Sequence, residues 1–106
     1  MTARIVVTTH RADEDIEAVL DGYATSGSES AALAFIDALD DAQKLIGEFP
    51  QVGSTRLAAE VDMPHVRTLA LRRFPDLVFY TDDTDSVRIH RVLHTSRDIP
   101  ASLQDK

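Results

Sequence analysis

The chain has 106 residues, 43% of them hydrophobic, no cysteine and a formal charge of −7. That length and apolar content support one domain, residues 1–106, with a real core. The missing cysteine excludes a disulfide framework, a thiolate nucleophile and a cysteine-based zinc site. The opening MTARIVVTTH has no charged region followed by an apolar run, so no signal peptide is expected. No stretch approaches about 18 uninterrupted apolar residues, so a cytoplasmic protein without membrane contact is expected. The charge is uneven: Arg4, Arg11 and Lys44 are the only bases before Gly53, among acids running from Asp13 to Glu48, whereas the second half balances. An acidic half repels a phosphate backbone, which disfavours direct nucleic-acid binding.

ARIVVT (3–8) is β-branched and reads as a strand, and its continuous apolarity predicts cover on more than one side. Thr9 is placed to cap a helix whose apolar stripe is Ala12, Ile16, Val19, Leu20 and Tyr23. The carboxylates of its first turns, Asp13, Glu14, Asp15 and Glu17, read as a solvated face at the favourable end of the helix dipole. TSGSES (25–30) is a turn, where Ser26 and Glu29 have capping-box spacing. The second helix carries the stripe Ala32, Phe35, Ile36, Leu39, Ala42, Ile46 and Phe49, and Pro50 ends it.

Residues 51–64 are the least regular stretch. Three β runs follow: VRTLALRRF (66–74), LVFYT (77–81) and VRIHRVLH (87–94). Pro75-Asp76 supplies a tight turn and DDTDS (82–86) a polar one, so the three strands form an antiparallel meander. The fold class is α+β, ordered β-α-α-β-β-β, with a helical hairpin packed on a small antiparallel sheet.

Four histidines invite a chemical reading. Alternation puts His90 and His94 on one strand face, their Cα atoms roughly 13 Å apart at about 3.3 Å per residue, too far for one shared metal. No metal site and no cofactor are expected. RVLHTSRDIP (91–100) gathers His94, Arg97 and Asp98 at a strand exit. A histidine there suits general acid work, and guanidiniums from Arg97, Arg72 and Arg73 suit a phosphate. A nuclease would use His94 as acid with Arg72 and Arg97 on the scissile phosphate. The plain alternative is a polar cap on the sheet edge. There is no glycine-rich phosphate loop, no G-x-S-x-G and no H-E-x-x-H, so no residue is firmly catalytic.

Taken in order, AALAFIDAL, Pro50, Gly53, LRRFPDLVFY, a charged turn and RVLHTSRDIP closely resemble the ParE/RelE superfamily of type II toxin–antitoxin toxins, in its ParE-like, plasmid-stabilisation branch. The resemblance spans nearly all of residues 3–103. It implies a toxin that inhibits DNA gyrase without catalysis and is neutralised by a cognate ParD-like antitoxin in a hetero-oligomer. Operator DNA would be bound only through that antitoxin. RelE-like relatives instead cut messenger RNA on the ribosome, and here the lack of a tyrosine after Tyr80 and the acidic first half depart from them. Thr81 stands where many ParE-like chains carry an arginine, which leaves an inactive homologue that still binds antitoxin as a further alternative. On this resemblance the target- or antitoxin-binding surface is Arg72, Arg73, Tyr80, Arg91, His94 and Arg97.

Overall fold

The computed structural model describes residues 3–95. Arg97 and Asp98 lie outside the described residues. The elements are β1 (Ile5–Thr8), α1 (His10–Thr25), α2 (Glu29–Glu48), β2 (Arg67–Ala70), β3 (Asp76–Asp82) and β4 (Ser86–His94). They form an α+β fold with a four-stranded sheet in the order β1-β4-β3-β2. β2, β3 and β4 make the expected antiparallel meander, but β1 pairs with β4 in parallel, so the sheet is mixed. Parallel strands need a long crossover, and the helical hairpin supplies it.

Local sequence sets the boundaries. The Thr9 hydroxyl accepts the Ala12 N–H at 3.1 Å, the N-cap that the sequence predicts. The expected Ser26–Glu29 capping box does not form. Ser26 still belongs to the end of α1, where its hydroxyl donates to the Tyr23 carbonyl at 3.0 Å. Gly27 turns the chain at φ +76°, and α2 starts behind Ser28 with no side-chain cap. β2 stops four residues short of the sequence reading, at Ala70. Leu71 closes the hairpin by donating to the Asp76 carbonyl at 3.0 Å, so Arg72 and Arg73 sit on the connecting turn and do not end a strand.

Both helices cover one sheet face. Ala12, Phe35, Leu39 and Ile46 pack on Val78, Tyr80, Val87, Ile89 and Val92. The irregular segment covers part of the other face, where Ala58, Val61 and Val66 bury Phe79 and Leu93. β1 is not sandwiched as its apolarity suggests: it is an edge strand, with Ile5 70% exposed.

A β-bulge decides where the chemistry of β4 points. Arg91 pairs with Phe79 while Ile89 pairs with the next residue, Tyr80, so His90 is an extra residue. Ile89 and Val92 then both face the helices although they are three apart. The expectation of one shared face for His90 and His94 therefore fails. His90 meets Thr81 on the face away from the helices, and His94 lies against α1.

Candidate functional site

β1 ends at Thr8, which leaves the far half of β4 without a strand on that side; α1 supplies the missing partners. The Thr9 N–H donates to the Ile89 carbonyl at 3.0 Å and its hydroxyl to the His90 carbonyl at 3.0 Å. Asp15 accepts the Val92 N–H at 3.0 Å, as a neighbouring strand's carbonyl would. The same carboxylate takes Arg91 in a fork, Nε at 2.7 Å and Nη2 at 2.9 Å. Arg91 is only 7% exposed. Among the described residues its role is to fasten α1 to β4, not to offer a surface guanidinium.

Tyr80 is likewise withdrawn. It is 0% exposed. Its hydroxyl donates to the Pro50 carbonyl at 2.9 Å and accepts the Gly53 N–H at 2.8 Å, tying the start of the irregular segment to the sheet. Burial raises the phenol above its ordinary pKa, so it stays protonated as a donor. Gly53 is required by this contact, because a Cβ there would lie 2.6 Å from the Tyr80 hydroxyl and 2.8 Å from the Thr68 carbonyl.

His94 is exposed at the end of β4, opposite Asp76 in the strand register. Beside them a cleft of about 270 Å³ opens between α1 and the sheet, with Asp15, Val19, Tyr23, Asp76, Val92 and His94 in its walls. Asp76 is 5% exposed. Burial raises its carboxyl above the usual range, opposed by the charge of His94.

Arg72 and Arg73 are exposed at the same end of the sheet but border a second cleft of about 330 Å³, with Asp37 and Asp41 of α2 opposite. Arg73 holds φ +69°, a left-handed conformation that costs a side-chain-bearing residue about 1–2 kcal/mol. The structure thus brings the turn arginines and His94 to one end without gathering them in one cleft. Among the described residues no group of His, Cys, Asp and Glu could hold a metal ion.

One constellation escaped the sequence reading. On the face away from the helices, His90 Nε2 lies 2.9 Å from the Thr81 hydroxyl, which donates to Asp83 at 3.0 Å; Asp83 also accepts Arg88 Nε at 3.1 Å. With the hydroxyl proton committed to Asp83, His90 must donate from Nε2. Burial lowers the His90 pKa, so its neutral form is favoured. Thr81 and Arg88 are cross-strand partners, but only the bulge brings His90 to them.

A family model described as the ParE toxin of the type II toxin–antitoxin system, parDE, matches residues 6–99. The chain belongs to the ParE toxin family. A solved chain titled as the chromosomal ParDE TA system from P. aeruginosa is similar in fold, with a TM-score of 0.71 and 23% identity over 87% of this chain and 96% of that one. No curated protein matches the chain. Among the described residues of this ParE-family chain, no helix is long and apolar enough to cross a membrane.

Proposed function

We propose that this ParE-family chain is the toxin of its module, that it inhibits DNA gyrase without cutting RNA, and that a cognate ParD-like antitoxin neutralises it and carries the operator-DNA contact. The observation that favours gyrase over message cleavage is the setting of His94. A general acid for RNA cleavage needs a phosphate held beside it, and among the described residues the carboxylate of Asp76 stands opposite His94 in the strand register and interacts with its charge. Arg72, one of the two cations a nuclease would set on that phosphate, borders a different cleft with Arg73 and faces Asp37 and Asp41, while Arg97, the other, lies outside the described residues. An RNA backbone entering the His94 cleft meets like charge.

The test is induced expression in a bacterial host, following growth, plasmid supercoiling and message integrity together. The gyrase reading expects arrest with altered supercoiling and intact messages, toxicity retained in His94→Gln, and toxicity lost in Arg97→Glu, where reversing the charge would set repulsion against a partner selected for a cation. Messages cut by wild type and spared by His94→Gln would transfer the chain to the ribonuclease reading.

A further inference from the structure

We propose that the cleft between α1 and the paired ends of β3 and β4 is a socket for one basic side chain, lysine or arginine, of the antitoxin, with Asp76 as its counter-ion. This socket rests on the toxin–antitoxin reading above and adds to it a defined anchor point.

Asp76 carries the inference. It is 5% exposed, lines the cleft, and its carboxylate accepts no hydrogen bond from any described residue. The protein around this carboxylate takes away part of its hydration and, among the described residues, supplies no donor in return, which is why its carboxyl titrates above the ordinary range. The sign of its linkage to stability is adverse. The folded state holds the Asp76 proton more tightly than the unfolded chain does, so that stability exists at low pH and is lost as pH rises through the folded pKa. At neutral pH the free toxin is destabilised by this side chain. Asp15, the other carboxylate in the wall, is already held by Arg91, so Asp76 is the acid left to receive a cation.

The cleft suits the stem as well as the head of a basic side chain. Its volume of about 270 Å³ is far more than the roughly 30 Å³ share of one water. Val19, Val92 and the ring of Tyr23 offer apolar wall for a methylene stem whose charge ends at Asp76. His94, at the mouth, acts on Asp76 electrostatically from the neighbouring strand. A partner's permanent cation would add to that action from inside the cleft. The surroundings favour such a partner over an anionic one: Asp13, Glu14, Glu17 and Asp21 lie exposed on α1, in a chain of net charge −7.

The experiment uses the purified full-length toxin and the purified antitoxin encoded beside it, with binding read by calorimetry. Asp76→Asn keeps shape and removes charge, so the free variant should be as stable as wild type or more so near pH 7, while its antitoxin affinity falls at least tenfold. Replacing each lysine and arginine of the antitoxin's toxin-binding segment by methionine should reveal one position that loses the same factor against wild type and nothing further against Asp76→Asn. In the wild-type protein, the carbon-13 titration of the Asp76 carboxyl should move to lower pH on complex formation. Binding by Asp76→Asn within twofold of wild type, losses additive at every basic position, or an unmoved carboxyl titration would each overturn the socket while leaving the antitoxin as partner. Binding of n-butylammonium at Asp76 with antitoxin affinity unchanged by the variant would give the cleft to a free amine and overturn it too. A wild-type toxin that binds no antitoxin at all would bring down the partner reading together with the socket.

Discussion

Replacing Asp15 by alanine tests how the helical hairpin is fastened to the sheet. The wild-type carboxylate makes three hydrogen bonds, two from Arg91 and one from the Val92 backbone. Its side chain is 13% exposed and that of Arg91 8%, so solvent does little to screen the pair. Truncation strips a buried guanidinium of this carboxylate and removes the acceptor of a strand N–H. Removing one partner of a buried ion pair costs about 3–5 kcal/mol. Against a typical domain stability of about 5–15 kcal/mol, that is a large fraction. Urea denaturation followed by circular dichroism reads it directly: with a slope of about 1–3 kcal/mol per molar, the midpoint should fall by about 1–5 M. Replacing Arg91 by methionine as well should recover part of the loss, because no buried cation then remains to be compensated. A midpoint moved by less than about 0.3 M in Asp15→Ala would show that the fork contributes nothing net and that packing alone seats α1.

Phe35 and Leu39 come from one face of α2 and are 0% and 8% exposed, so alanine at either should cost about 2–5 kcal/mol in the same denaturation assay. Tyr80→Phe leaves the buried Gly53 N–H without its acceptor and should cost about 1–3 kcal/mol, with the early loss of protection in hydrogen exchange confined to residues around 50–54. For His90, burial lowers the folded pKa below the ordinary histidine value of about 6.5. The unfolded chain therefore binds the proton first, and the contribution of neutral His90 is present above about pH 6.5 and lost as pH falls from there. His90→Gln should flatten that part of the stability–pH curve; an unchanged slope would place the titration elsewhere.

What could be read from sequence was what repeats at a fixed period. The stripes Ala12-Ile16-Val19 and Phe35-Leu39-Ala42-Ile46 have helical spacing, and the structure turns both toward the sheet. What could not be read depends on partners distant in the chain. The apolarity of β1 suggests cover on two sides, but order in the sheet, not composition, leaves it at an edge with Ile5 exposed. Phe49 continues the α2 stripe by spacing, yet the helix ends before it and it is 59% exposed. Among the nominated binding residues, Arg72, Arg73 and His94 are exposed, while Tyr80 and Arg91 are buried by partners at Pro50, Gly53 and Asp15 that no local pattern announces. Asp76, the acid on which the socket depends, reads in sequence only as the second residue of a Pro-Asp turn.

The bulge at His90 links these displaced expectations. Strict alternation along VRIHRVLH would put residues 88, 90, 92 and 94 on one face and make His90 and His94 a single site. One extra residue opposite the Phe79–Tyr80 step breaks that set in two. Before it, Arg88 and His90 look out with Thr81 and Asp83 on the face away from the helices. Beyond it, Val92 and His94 face α1, where Val92 completes the core and His94 stands beside Asp76. The same irregularity falls where β1 has run out, so the edge of β4 is free to be met by Thr9 and Asp15 and Arg91 can reach back to α1. Bulges bend a strand and re-aim its side chains. Here that turns one run of histidine and arginine into a half-buried relay on one face and a clamp and an acidic cleft on the other. A regular strand of the same composition would have set Arg88, His90 and His94 on one face toward a phosphate; the bulged one offers its helix-side end, beside Asp76, to a cation.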